Sequence, residues 1–228
     1  MGTAVRQAPG GSRESDRVPA GQAPEVDAPG RRSRRREAAG VFALMILATL
    51  VRLPTLSQPL QENHGFRQTQ TAYTAVIYHE QGVSLLHPKL PVFGAPFEAP
   101  FEFPLFQALA AGVMSWGLSA DVAMRTTALA CFLLSAMLLW GLVRHVGGRV
   151  AAMTTLALFL FSPFSLLWSR ASMIEYLAVA GALGWLWAGL LWRERRRLVY
   201  AAAALTAGLT VMLVKPTTGV FWLLPLLA

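Results

Sequence analysis

Cysteine is almost absent: Cys131 is the only one in 228 residues, and it sits inside an apolar run. An intrachain disulfide is therefore excluded, and a lone thiol among apolar neighbours reads as a small packing residue rather than a nucleophile. Charge is scarce as well. With 14% charged against 54% hydrophobic residues and a mean hydropathy of +0.46, the chain has too little polar surface to cover a soluble globule. The formal net charge of +8 could point to nucleic acid, but eight of the twenty basic residues precede Glu37 and the rest are scattered between apolar runs. No basic stripe interleaved with aromatics forms a stacking platform, so no nucleic-acid partner is expected. Also missing are a glycine-rich phosphate loop, a nucleophile elbow, an Asp-X-Asp pair and any metal-type spacing among His64, His79 and His87. Neither a metal site nor a cofactor is expected from such a pattern.

What is present is a series of membrane-grade apolar runs around one polar stretch. Residues 1–36 are rich in Gly, Pro, Ser, Asp and Arg, with few large apolar side chains to offset the entropy of ordering. They read as a disordered basic tail, and Arg31, Arg32, Arg34, Arg35 and Arg36 place it in the cytoplasm against anionic membrane lipids. A retained anchor is favoured over a cleavable signal peptide, because no small-residue cleavage site follows the first run. That run, Ala38 to about Leu56, crosses if Arg52 snorkels to the far interface. Later runs are Val122–Val143, Val150–Trp168, Met173–Trp192, Val199–Val214 and Gly219–Ala228. The last ends without a polar flank, which suggests a module, residues 37–228, truncated at its carboxy terminus.

Phe103–Leu118 decides the sidedness of everything after it. At about fifteen residues it is roughly 22 Å long as a helix, short of a hydrocarbon core of about 30 Å. If it crossed, Arg144, Arg149, Arg193, Arg195, Arg196 and Arg197 would all face outward, against the positive-inside rule. It is therefore read as an interfacial helix in an external loop spanning residues 57–121. Thr69–Glu80 predicts a first interfacial helix, ended by Gly82, with Tyr73, Val76 and Ile77 on its apolar face and Gln70 and Thr74 turned away. Prolines 88, 91, 96, 100 and 104 then predict an irregular segment. The fold class is all-α: a polytopic transmembrane helix bundle with interfacial helices in the first external loop.

The loop carries most of the groups able to do chemistry. Glu62, Glu98 and Glu102 are carboxylates that could take a proton from a hydroxyl acceptor, while Arg67 and Lys89 could hold a phosphate. His64, Gln68 and Gln70 surround them in sequence. Arg170 and Lys215, at span ends, could join in gripping a phosphate, and Glu175 either pairs with Arg170 or faces the cavity under the loop.

The ordered set His64-X-Phe66-Arg67-Gln68-X-X-Thr71-Ala72, Glu102-X-Pro104-Leu105, Met124-Arg125, Ser162-Pro163, Ser169-Arg170 with Glu175, and Val214-Lys215-Pro216-Thr217 resembles the bacterial family 39 group of GT-C glycosyltransferases. That group is related to the protein O-mannosyltransferases and lipid A aminoarabinose transferases. The resemblance covers about Val41 to Pro225. It implies a GT-C-type enzyme in the bacterial plasma membrane, with a cytoplasmic amino terminus. Such an enzyme moves a hexosyl or pentosyl group from a polyprenyl-phosphate carrier to a protein, lipid or glycan acceptor on the outer face. Carried over, Glu62 or Glu102 would activate the acceptor, and Arg67 and Lys215 would hold the departing phosphate. His64, Gln68, Gln70, Lys89, Arg170 and Glu175 would complete the substrate site. Many members carry an Asp near Gln70 or an acidic pair near Arg67 and Gln68, and this chain has neither. Rival readings are a transporter or flippase fragment, which would show repeated halves and helices broken near the midplane, and an inactive or non-catalytic membrane partner.

Overall fold

The computed structural model describes residues 29–61, 64–90, 98 and 102–223. All its regular structure is helical, apart from an isolated antiparallel bridge between Lys89 and Glu98. Helix α1 covers Pro29–Arg52, followed by a 3-10 turn at Leu53–Thr55 where Pro54 prevents the α-helix from continuing. Then come α2 (Gly65–Gln81), α3 (Leu105–Met114), α4 (Ala120–Phe161), α5 (Pro163–Trp168), α6 (Glu175–Arg195), α7 (Leu198–Val214) and α8 (Pro216–Leu223). Among the described residues three helical stretches are long and apolar enough to cross a membrane: Arg32–Thr55, Ala120–Phe161 and Glu175–Arg195. Their outward faces carry large exposed apolar side chains, among them Phe42, Leu50, Leu134 and Leu158, an arrangement suited to lipid rather than water.

Helix α1 begins earlier than composition suggests. The basic run 31–36 forms its first turns instead of belonging to a disordered tail, because Ala, Leu and Arg are good helix formers and the helix continues from them without a break. Residues 1–28 lie outside the described ones.

Helix α4 is a hairpin. As a straight rod its 42 residues would extend about 63 Å, twice a bilayer core. The rings of Phe132 and Phe159 instead stack with centroids 5.3 Å apart, where a straight helix would separate them by about 40 Å. The reversal occurs at Gly148, with φ 79° and ψ −173°, a conformation open only to glycine. The two arms, 120–147 and 149–161, correspond to the separate runs expected on either side of Arg144 and Arg149. The second run does not continue unbroken to Trp168. Pro163 interrupts it, and a new helix starts there with the Ser162 hydroxyl accepting from the Ser165 N–H at 3.1 Å.

Hydrogen bonds fix which ends of the helices lie together. Glu37 near the start of α1 meets Arg144 at 2.6 Å and Arg149 at 3.9 Å, and His145 meets Glu194 at 2.7 Å. The hairpin tip, the start of α1 and the end of α6 thus share one basic end, together with Arg193, Arg195, Arg196 and Arg197. At the opposite end Arg125, near the start of α4, donates to the carbonyls of Gln58 (2.9 Å), Pro59 (2.8 Å) and Arg170 (3.0 Å). The chain between Pro59 and Arg125 therefore leaves and returns at the same end. Helices α2 and α3 sit there, and α3, ten residues or about 15 Å, does not cross.

The core joins Phe132, Phe159 and Tyr176, with Tyr176 edge-on to Phe132 at 4.9 Å. Helices α6 and α7 approach closely through small residues: a Cβ on Gly181 would lie 3.2 Å from the Ala207 carbonyl oxygen.

Two expectations are corrected here. Arg52 does not snorkel to an interface. It is 3% exposed, donates to Ser169 Oγ (2.5 Å) and to the carbonyls of Ala48 and Leu160 (2.8 Å each), and lies 4.4 Å over the Phe132 ring. The break at Pro163 leaves the Leu160 carbonyl without a helical donor, and the guanidinium supplies one. Helix α2 buries only part of the face its apolar periodicity selects: Ile77 is buried and Val76 half-buried, but the buried face is otherwise largely polar. Gln68, Thr71, Thr74 and Ala75 are buried, whereas Tyr73 is 53% exposed, because α2 packs its polar side on α3 and on the turn ahead of α6.

Candidate functional site

The site grows from three local features of the loop end. The first is the polar face of α2. Arg67 and Gln70, one turn apart, point the same way, and Arg67 Nη1 reaches Gln70 Oε1 at 3.4 Å. The second is the approach to α3, where Glu102 precedes Pro104 and Gln107 follows on the first turn, so Gln107 Nε2 donates to Glu102 Oε1 at 2.8 Å. Arg67 Nη2 donates to the other carboxylate oxygen, which closes an ion pair between the two elements. With a side chain 11% exposed, Glu102 has its pKa pushed upward by burial, against the opposing pull of Arg67 and Gln107 and with a further upward push from nearby Glu175. Arg67, Gln70, Thr74, Lys89, Glu102 and Gln107 surround a cavity of about 20 Å³, room for one water molecule.

The third feature is the turn between α5 and α6 together with the end of α7. Glu175 opens α6, and its Oε1 accepts from Lys215 Nζ at 2.9 Å. Its Oε2 is buried and has no hydrogen-bond partner among the described residues. Beside this pair lies a second cavity of about 140 Å³, walled by Phe164, Trp168, Tyr176 and Val179, with Thr218 at its edge. The charged pair and the apolar walls together make an amphiphilic recess.

Gln68 links the two halves. It is 2% exposed, and its Oε1 accepts from the Ser172 N–H at 2.9 Å, tying α2 to the turn ahead of Glu175.

The other residues expected at the site distribute unevenly. His64 stands just ahead of α2 in a left-handed conformation (φ 62°), its ring 5.2 Å from that of Trp168, at the wall of the second cavity. Lys89 lines the first cavity while donating to Gln81 Oε1 at 2.8 Å, and its carbonyl accepts from Thr74 Oγ1 at 3.0 Å. Arg170 contributes its carbonyl to Arg125. Glu62 lies outside the described residues. Arg67, Gln70, Lys89 and Glu102 are thus assembled in one group and Glu175 with Lys215 in another, while Gln68 serves as a tether. Among the described residues no three His, Cys, Asp or Glu side chains converge as a metal-ligand group.

Arg125 figured in the sequence only as part of the Met124-Arg125 motif, with no role assigned, yet it organises this end. It is 1% exposed and gathers three carbonyls from two loops. An ionisable residue inside an apolar run was the available signal. Gln107 likewise follows from its position five residues beyond Glu102.

Comparison with protein-family models, curated proteins and solved structures yields no match to the chain.

Proposed function

We propose that the chain is a membrane glycosyltransferase of GT-C type that moves a sugar from a polyprenyl-phosphate carrier to a hydroxyl of a protein, lipid or glycan. In this reading the loop end faces outward from a bacterial plasma membrane, and the basic end, with the amino terminus, faces the cytoplasm. One observation supports it above the others. A buried carboxylate held by Arg67 and Gln107 stands at the same end of the helices as a cation, Lys215, set on the rim of an apolar recess.

Each group has a definite task. Glu102 removes the proton from the acceptor hydroxyl as its oxygen attacks the anomeric carbon, with Glu62 the other candidate for this role. The bond from that carbon to the phosphate oxygen breaks, and its electron pair stays on the phosphate. Lys215 stabilises the growing negative charge, and the apolar recess takes the first part of the isoprenoid chain. Arg67 orients Glu102 through its guanidinium. His64, Gln70 and Lys89 line the approach to the sugar, and Arg170 and Gln68 hold the turn that carries Glu175.

The test uses the whole chain in nanodiscs with a radiolabelled polyprenyl-phosphate sugar. Glu102→Gln should lower turnover by about 100-fold or more while carrier binding persists, and Lys215→Ala should weaken carrier binding. Full turnover in both Glu102→Gln and Glu62→Gln removes the base assignment. Failure of the unaltered chain to bind the carrier removes the function.

A further inference from the structure

We propose that the turn between α6 and α7 binds the headgroup phosphate of an anionic phospholipid, whose acyl chains lie along the exposed apolar start of α7. The site stands at the basic end of the helices, opposite both cavities, and is independent of any catalytic role for the chain.

The turn is dense in charge. Helix α6 ends at Arg195 and α7 begins at Leu198, so Arg193, Arg195, Arg196 and Arg197 crowd into five consecutive positions. All four are exposed, and among the described residues none of them is paired with a carboxylate. Glu194, the acid within this stretch, is taken by His145 at 2.7 Å, and Glu37 at the same end is taken by Arg144 and Arg149. Two of the guanidiniums are held in place by aromatic rings. Arg195 donates to the Tyr200 hydroxyl at 3.0 Å and lies 5.7 Å from that ring's centroid, while Arg196 lies 5.8 Å over Trp192. No further bond within the described residues engages either guanidinium.

The neighbours of these charges select a lipid over a soluble anion. Leu198 and Val199, directly after Arg197, are 83% and 65% exposed, and Trp192 is 40% exposed about one helical turn before the bend. Large apolar side chains left uncovered beside four arginines are poorly matched to water. At the end of a span they match the boundary where headgroups meet acyl chains, the depth at which tryptophan and tyrosine also settle. An anionic phospholipid satisfies both halves: its phosphate accepts from the turn, and its chains cover Leu198 and Val199. A zwitterionic one sets its own ammonium against the arginines.

Native mass spectrometry of the full chain in detergent micelles tests this. The chain is titrated with dioleoyl phosphatidylglycerol or with dioleoyl phosphatidylcholine, and the Kd of the first bound lipid is read for each. Phosphatidylglycerol should bind about tenfold more tightly. Arg196→Gln combined with Arg197→Gln should cut that preference to about twofold or less. Arg34→Gln combined with Arg35→Gln removes the same charge from exposed residues at the same end and should leave the preference within about twofold of the unaltered value. Equal Kd values for the two lipids, or equal losses in the two double variants, overturn the site. Glycerol 3-phosphate binding as tightly as phosphatidylglycerol overturns the lipid in favour of a soluble phosphate, and tighter binding of polyglutamate overturns it in favour of an acidic protein. The comparison of the two lipids on the unaltered chain requires no variant to fold.

Discussion

Replacing Arg125 by methionine should loosen the loop end and lower the stability of the whole chain. Methionine fills a similar volume but donates nothing, so three hydrogen bonds of 2.8 to 3.0 Å disappear together. Bonds from a charged donor contribute about 1.5–3 kcal/mol each. Gln58 and Pro59 are exposed residues, so water recovers part of what their carbonyls lose, and removal of the charge also relieves its desolvation. A net loss of roughly 3 kcal/mol remains, most of it at the Arg170 carbonyl. For a chain of this size that corresponds to a fall in Tm of about 6–12 °C. Arg125→Lys restores the charge but cannot span all three carbonyls, so it should fall between the two. Thermal unfolding followed by tryptophan fluorescence in nanodiscs gives the order. A methionine variant melting within about 2 °C of the unaltered chain would show that Arg125 is a spectator and that the two loops hold together without it.

Other consequences follow from the same geometry. Glu102 works as a base only when ionised, and burial raises its pKa. Turnover should therefore fall, as pH drops, at a pH above the usual carboxylate range of about 4. Arg67→Gln, which removes a cation that opposes this rise, should move the limb higher still, and a pH–rate profile with its limb near 4 contradicts the assignment. Gly148→Ala forces a side chain into φ 79°, ψ −173° and should destabilise the hairpin by about 1–3 kcal/mol, visible as a lower Tm. For sidedness, a cysteine at the exposed Leu86 should be labelled by an impermeant maleimide in intact cells, and one at Arg197 only after permeabilisation, with buried Cys131 silent. The reverse pattern would place the proposed chamber in the cytoplasm.

Much of the helical layout could be read from the residues. Hydropathy marked α1, both arms of α4, α6 and α7, and the distribution of arginines indicated that α3 stays at one end. The loop stretch contains Arg67, Glu102 and Gln107, which the fold brings together. The internal polar contacts were not legible. Arg52 stands at the end of an apolar run, where hydropathy assigns it to an interface, yet its partners are a broken helix more than a hundred residues later. The polar part of the buried face of α2 was missed for a related reason. Apolar periodicity finds a face that avoids water, whereas Gln68, Thr71 and Thr74 are enclosed by other polar groups. The pairing of Glu175 with Lys215 depends on α6 and α7 lying side by side, which spacing along the chain does not encode.

The interruption at Pro163 carries an obligation elsewhere. A proline there unwinds the second arm within the apolar layer, and the Leu160 oxygen it exposes is satisfied from a residue 108 positions earlier. Straighten the arm, and Arg52 is stranded among hydrocarbons; remove the arginine, and the bend has an unmet oxygen at its elbow. Proline and arginine should therefore be lost or kept as a couple in descendants of this chain.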